Sequence, residues 1–138
     1  VILQTFKAWD KVYKQIFDVH SIDYKNECAW LDKEGWDGGE RSFKIIELLP
    51  ISGIHDDHEM EEHGYTELKF GDVLQLQDFR CKLHYETGGW MLVSDHFEDG
   101  YEWVGDWLEN DGQFTWIPDS KFIGNIFESP NLLREETQ

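Results

Sequence analysis

The sequence predicts a mainly β fold, and three observations carry that expectation. Short runs with strand character recur along the whole chain and are punctuated by Gly, Asp, Asn and Ser turn signals. One hairpin is directly legible: Cys81-Lys82-Leu83-His84-Tyr85 alternates, Thr87-Gly88-Gly89 turns, and Trp90-Met91-Leu92-Val93 returns. The third observation is bulk. The apolar fraction is 40% and aromatics reach 15%, with seven Trp and nine Phe, far too much for a disordered chain. At 138 residues the natural reading is one domain, 1–138, able to bury a core without metal or disulfide staples.

The elements follow in order. Thr5 to Trp9 reads as a first strand, with Asp10-Lys11 as a turn. Val12 to Tyr24 alternates apolar and polar residues, as two short strands or one bent strand. Glu27 to Leu31 is a further strand, paired to the previous one across Lys25-Asn26. Asp32 to Ser42 carries three glycines and no period, so a loop is expected. Phe43 to Leu49 is an apolar strand stopped by Pro50 and the Ser52-Gly53 turn signal. Ile54 to Thr66 is long and polar, an exposed excursion with at most a short helix over Asp56 to Glu62. Val73 to Gln77 is a strand entered through Phe70-Gly71-Asp72, and the hairpin follows.

Tyr101 to Leu108 places Trp103, Val104, Trp107 and Leu108 at helical spacing, but Gly105 interrupts it, so helix and strand both stay open there. Gln113 to Ile117 and Lys121 to Phe127 are the last strands. Ser129 before Pro130 signals a helix start, giving a short C-terminal helical turn to about Arg134. Gly124 within its strand marks a bulge or a close backbone approach.

Charge narrows the function classes. The net charge is −17, from 29 acidic and 12 basic residues. The few Lys and Arg are scattered, which disfavours direct nucleic-acid binding and anionic membranes. An excess of carboxylates favours solubility and a basic protein partner. No apolar run approaches the roughly 20 residues of a membrane span. The opening Val1-Ile2-Leu3-Gln4-Thr5-Phe6-Lys7 has no charged n-region or long apolar stretch, so no signal peptide is expected. Cys28 and Cys81 sit in strand-like segments and read as two reduced thiols, a disulfide being the alternative.

Three blocks resemble the YopX family, small proteins of temperate phages and prophages of Gram-positive bacteria. The first is Phe6-Lys7-Ala8-Trp9-Asp10-Lys11. The second joins Ile46-Glu47-Leu48-Leu49 and Ser52-Gly53 to Leu68-Lys69-Phe70-Gly71-Asp72-Val73-Leu74. The third is the closing Phe122-Ile123-Gly124-Asn125-Ile126-Phe127-Glu128-Ser129-Pro130-Asn131-Leu132-Leu133. The resemblance implies an SH3-like β-barrel core with additional strands, one acidic excursion and a location in the cytoplasm of a bacterial host. About seven to nine strands suit that core. The chain departs from the family between Gly53 and Leu68, where a frequently lysine-rich loop has become longer and acidic.

Two features invite function. The loop His55-Asp56-Asp57-His58-Glu59-Met60-Glu61-Glu62-His63 combines imidazoles and carboxylates that suit zinc or another transition metal, with His55, His58 and His63 as the ligands. It lacks the HExxH order, and its ordinary reading is a solvated acidic face. No cofactor is expected beyond an adventitious divalent cation. Trp36, Trp103 and Trp107 lie among glycines or carboxylates and are the candidate partner-binding residues, with core packing as the alternative. No nucleophile elbow, phosphate-cradling loop or dinucleotide fingerprint appears, so an enzyme is not expected. The leading expectation is a non-enzymatic phage accessory protein that binds a protein partner or self-assembles as a homo-oligomer. Its sharper form is an acidic inhibitor of a host nucleic-acid-binding protein. The alternative is a metal-dependent, hydrolytic protein built on the histidine-rich loop.

Overall fold

A computed structural model describes residues 5–33, 36–57, 66–112 and 114–134. The fold is mainly β, with thirteen strands and one three-residue 3-10 helix among the described residues. Backbone contacts group the chain into two compact units, 1–51 and 52–138. No helix among the described residues is long and apolar enough to cross a membrane.

The first unit is an antiparallel sheet. It contains β1 (Phe6–Asp10), β2 (Gln15–Asp23), β3 (Cys28–Lys33), β4 (Trp36–Ser42) and the first half of β5 (Ile46–His55), ordered β5-β1-β2-β3-β4. Ala8, Phe17, Ala29, Leu31 and Ile46 form its core, with Val19, Ile22, Phe43 and Leu48 packed against them. Val12 to Tyr24 resolves into a turn and one irregular strand. The pairing of β2 with β3 shifts between Val19 and Ser21. That bulge moves the inward position from odd to even residues, which is why Phe17, Val19 and Ile22 all reach the core despite their unequal spacing. Asp10 closes the β1–β2 turn: the N–H groups of Val12 and Tyr13 donate to its Oδ1 at 2.8 and 2.9 Å.

Two expectations are corrected here. The glycine-rich segment expected as a loop forms β4, paired along β3. As the last strand of its sheet it needs only one partner, and β3 supplies the ladder that its own side chains do not advertise. The strand expected to stop at Pro50 runs on to His55. The Ile51 N–H donates to the Thr5 carbonyl at 2.9 Å, so strand alternation turns the nitrogen of Pro50 away from β1 and its missing donor costs that ladder nothing. Ser52-Gly53 lies within the strand rather than in a turn, with Gly53 at φ 76°. The Ile54 N–H donates to Ser52 Oγ at 2.9 Å, and that hydroxyl donates to the Leu68 carbonyl at 2.7 Å.

The second unit holds β6 (Glu67–Lys69), β7 (Asp72–Gln75), β8 (Arg80–Glu86), β9 (Gly89–Val93), β10 (Tyr101–Trp103), a 3-10 turn at Val104–Asp106, β11 (Glu109–Asn110), β12 (Thr115–Trp116) and β13 (Lys121–Asn125). Five strands form an antiparallel sheet ordered β10-β9-β8-β7-β13; the order is open, so the β-barrel core expected from the resemblance is corrected to sheets that do not close among the described residues. β6 pairs with β5, and β12 meets the end of β5 in parallel at His55. Leu68, Leu74, Leu83, Leu92, Val104 and Ile117 are almost wholly buried in its core. The segment from Tyr101 divides: three residues pair as β10, and the chain then coils for one 3-10 turn.

Gly124 marks the expected bulge, and the close approach there comes from a side chain rather than a backbone. The register of β13 against β7 shifts at this point, φ is 141°, and a Cβ there would lie 2.7 Å from Leu132 Cδ2. The C-terminal helical turn is corrected to a series of hydrogen-bonded turns. Asn125 rather than Ser129 caps them: the Phe127 and Glu128 N–H groups donate to its Oδ1 at 3.0 and 2.8 Å. The Ser129 N–H donates to the Asn125 carbonyl at 3.1 Å, and single bonds then run from the Leu132 N–H to the Ser129 carbonyl and from the Arg134 N–H to the Asn131 carbonyl. Arg80 Nη1 donates to the carbonyls of Leu132 and Arg134 at 2.9 and 3.2 Å, and one such turn is too short to propagate as helix.

Candidate functional site

The histidine-acid loop begins with residues that hold the fold. Asp56 is fully buried, and Asp57 nearly so. The Thr66 N–H donates to Asp56 Oδ1 and the Phe122 N–H to its Oδ2, each at 3.0 Å. The Asp119 N–H donates to Asp57 Oδ2 at 2.6 Å, and the Asp57 N–H donates to the Ser120 carbonyl at 3.1 Å. Two neighbouring carboxylates therefore fasten the start of β13 and the segment before β6 to the end of β5. The His55 ring packs edge-to-face on Phe114 at 5.4 Å between centroids. His58 and His63 lie outside the described residues. Among the described residues no three His, Cys, Asp or Glu side chains converge as a metal site would require.

The tryptophans divide by role. Trp9 and Trp116 are buried, and Trp90 and Trp107 pack against the core of the second unit. Trp107 Nε1–H donates to Glu102 Oε1 at 2.9 Å, and its ring meets Phe97 edge-to-face, so this residue is fastened down as scaffold. Trp36 contributes backbone to β4, and its side chain lies outside the described set. Trp30 and Trp103 are each 43% exposed, and Tyr101, two residues before Trp103 on the same strand, is 40% exposed.

Strand alternation turns Tyr101 and Trp103 to one face while Glu102, between them, reaches Trp107 on the other. The two rings stand edge-to-face, 5.7 Å apart at 85°. They belong to β10, the edge strand of the five-stranded sheet. Trp103 lies directly on Gly89, where a Cβ would collide with its ring. The absent side chain of Gly89 is thus what lets the indole approach the neighbouring strand so closely. Beside this aromatic wall is an open cleft of about 370 Å³, floored by Met91 and Val93 and flanked by Lys82, His84, Glu86 and Asp99. The His84 ring rests against Phe70 at 5.0 Å, and Phe70 against Phe127 at 6.4 Å.

The sequence that carries β9 and β10 is one-sided in charge. Between Lys82 and Lys121 the chain has no Lys or Arg and nine Asp or Glu. All nine are exposed. The thiols lie elsewhere and are free. Burial pushes the Cys81 thiol up to about 12, and desolvation followed by the Glu40 carboxylate raises Cys28, so neither is poised as a thiolate.

Comparison with protein-family models, curated proteins and solved structures finds no match to this chain.

Of the candidate site residues expected from sequence, Trp103 is the one that lines the cleft among the described residues. Tyr101, Gly89, Met91, Glu86 and Asp99 were missed. Two signals were available. One is the 83–120 stretch without a basic residue. The other is the Tyr101-Glu102-Trp103 alternation, which places two aromatics on the face opposite an acid.

Proposed function

We propose that this protein is a non-enzymatic interaction module that engages a basic protein partner through the outer face of β8, β9 and β10. The observation that carries the reading is the pair Tyr101 and Trp103. Two large aromatics stand 40% and 43% exposed, on an edge strand, within a stretch whose charges are all negative. Exposed aromatics of this kind anchor interfaces, and an edge strand offers unpaired backbone groups to a partner chain. The net charge of −17 draws a basic partner in and repels acidic ones.

On the three sequence blocks we further propose a YopX-like lineage: an accessory protein of a temperate phage, working in the cytoplasm of a bacterial host. The same resemblance supports an SH3-like strand arrangement at the centre of the chain. In its sharper form the protein inhibits a nucleic-acid-binding host protein by presenting carboxylates to the basic surface that takes phosphates. The outward display of all nine acids between Lys82 and Lys121 supports this form.

The test is affinity capture from bacterial cells with the intact chain and with Trp103→Ala and Tyr101→Ala variants. A specific co-purifying protein should be retained by the intact chain, depleted by each variant, and released by salt. Equal recovery on all three baits would refute the surface. Light scattering separates the homo-oligomer alternative, which requires a mass above that of one chain.

A further inference from the structure

The strand registers put the groups around the cleft in fixed rows. Lys82, Val93 and Tyr101 form one row across β8, β9 and β10, and His84, Met91 and Trp103 form the next. Glu86 pairs with Gly89 at the end of the hairpin, beneath the Trp103 ring. Lys82, His84 and Glu86 face outward because Cys81 and Leu83, alternating with them, are buried. Asp99 adds a second exposed carboxylate to the rim.

We propose that this cleft binds a Lys or Arg side chain of a basic protein segment; the inference rests on the interaction reading above and names what that surface recognises. Ring faces of Tyr and Trp attract ammonium and guanidinium groups through their quadrupoles. Met91 and Val93 give the aliphatic stem of such a side chain an apolar floor, while its charged head stays at the wet rim. Glu86 and Asp99 outnumber Lys82 among the formal charges of the lining, so the cleft itself is net negative. Gly89 seats Trp103 before any ligand arrives, so the aromatic wall is formed in advance and binding need not order it. Lys82 opposes a cationic guest, and its removal therefore has a predicted sign opposite to that of every other change.

The experiment titrates the ¹⁵N-labelled full chain with three end-blocked tripeptides: Gly-Lys-Gly, Gly-norleucine-Gly and Gly-Glu-Gly. The lysine peptide should shift the amides of Gly89, Met91, Tyr101 and Trp103 saturably, and the other two should not. Trp103→Ala should weaken the lysine peptide by about fivefold, and Lys82→Gln should strengthen it by about threefold. Glu86→Gln combined with Asp99→Asn, at two exposed positions away from the core, should weaken it with the amide spectrum otherwise unchanged. Equal shifts from the norleucine peptide, a preference for the glutamate peptide, or weaker binding by Lys82→Gln would overturn the assignment. If the lysine peptide misses the cleft while a captured partner still depends on Trp103, the cation assignment falls and the interaction reading stands. If neither depends on Trp103, both fall.

Discussion

At Asp56 and Asp57 the formal charge and the structural role point in different directions. Their neighbourhood in sequence is so acidic that a solvated face is the ordinary expectation, yet both are buried with carboxylate oxygens accepting backbone N–H groups from distant segments. A carboxylate offers only acceptors, and an amide replaces one oxygen with a donor. Asp56→Asn therefore sets a donor against the N–H of Thr66 or Phe122 and should cost about 1–3 kcal/mol, read as a lower urea midpoint. Asp95→Asn, at an exposed position, should stay within about 0.5 kcal/mol of the parent; equal effects would refute the latch. Asp72 carries a pH signature. Burial pushes its carboxyl above the ordinary 3.8, against the pull of Lys69, whose Nζ and backbone N–H both donate to it. An acid with a raised folded-state pKa holds its proton more tightly when folded. Its contribution is fully present below 3.8, falls as pH climbs from 3.8 through the raised value, and then levels off. Asp72→Asn should lack that descending step, so the parent's stability should fall relative to the variant's as pH rises over about pH 3 to 7. Parallel curves would show that the carboxyl is not perturbed.

Among the elements, legibility tracked how much of the signal each strand carries in its own side chains. β8 and β9 alternate cleanly and were readable with their turn. β4 was not, because Gly38, Gly39 and its acids carry no apolar period, and its order comes from the β3 ladder. β5 was cut short in the reading because Pro50 looked like a stop; only the direction of its nitrogen, a tertiary fact, decides otherwise. The bulge in β2 defeats a strict period of two for the same reason. The site shows the same division. Exposed aromatics in acidic sequence were visible, but which of them faced solvent depended on Glu102 taking Trp107 for the core side. The hairpin turn is one residue shorter than the expected Thr87-Gly88-Gly89. Its corner is Thr87-Gly88, with φ of 51° and 78°, and Gly89 already belongs to β9. Positive φ at both positions is the two-residue geometry that favours Asn-Gly, and a β-branched Thr is strained in it. Thr87→Asn should stabilise the protein by about 0.5–1 kcal/mol, seen as a higher melting temperature. No change or a loss would show that the Thr87 side chain has compensating contacts.

For the whole molecule, charge has opposite consequences for folding and for binding. With 29 acidic and 12 basic residues the folded chain repels itself, and attractive pairs among the described residues, such as Lys7–Asp18 at the surface and Arg41–Asp10 and Lys69–Asp72 with a buried acid, offset part of this. Salt shortens the Debye length from about 10 Å at 0.1 M to about 3 Å at 1 M. It therefore screens the diffuse repulsion between exposed carboxylates strongly and the buried pairs hardly at all. Raising NaCl across that range should raise the melting temperature by several degrees, because a gain of about 1 kcal/mol shifts a domain of this size by roughly 2–8 °C. The same screening acts on association with the reverse sign, since attraction to a basic partner is also carried by exposed charges. Binding should weaken over the salt range in which the fold grows more stable. Measuring melting temperature and partner affinity in one NaCl series separates this account from its rivals. If salt lowered both, attractive surface pairs would outweigh self-repulsion; if affinity held constant, the interface would rest on the Tyr101 and Trp103 rings alone, with no part played by the acidic stretch around them.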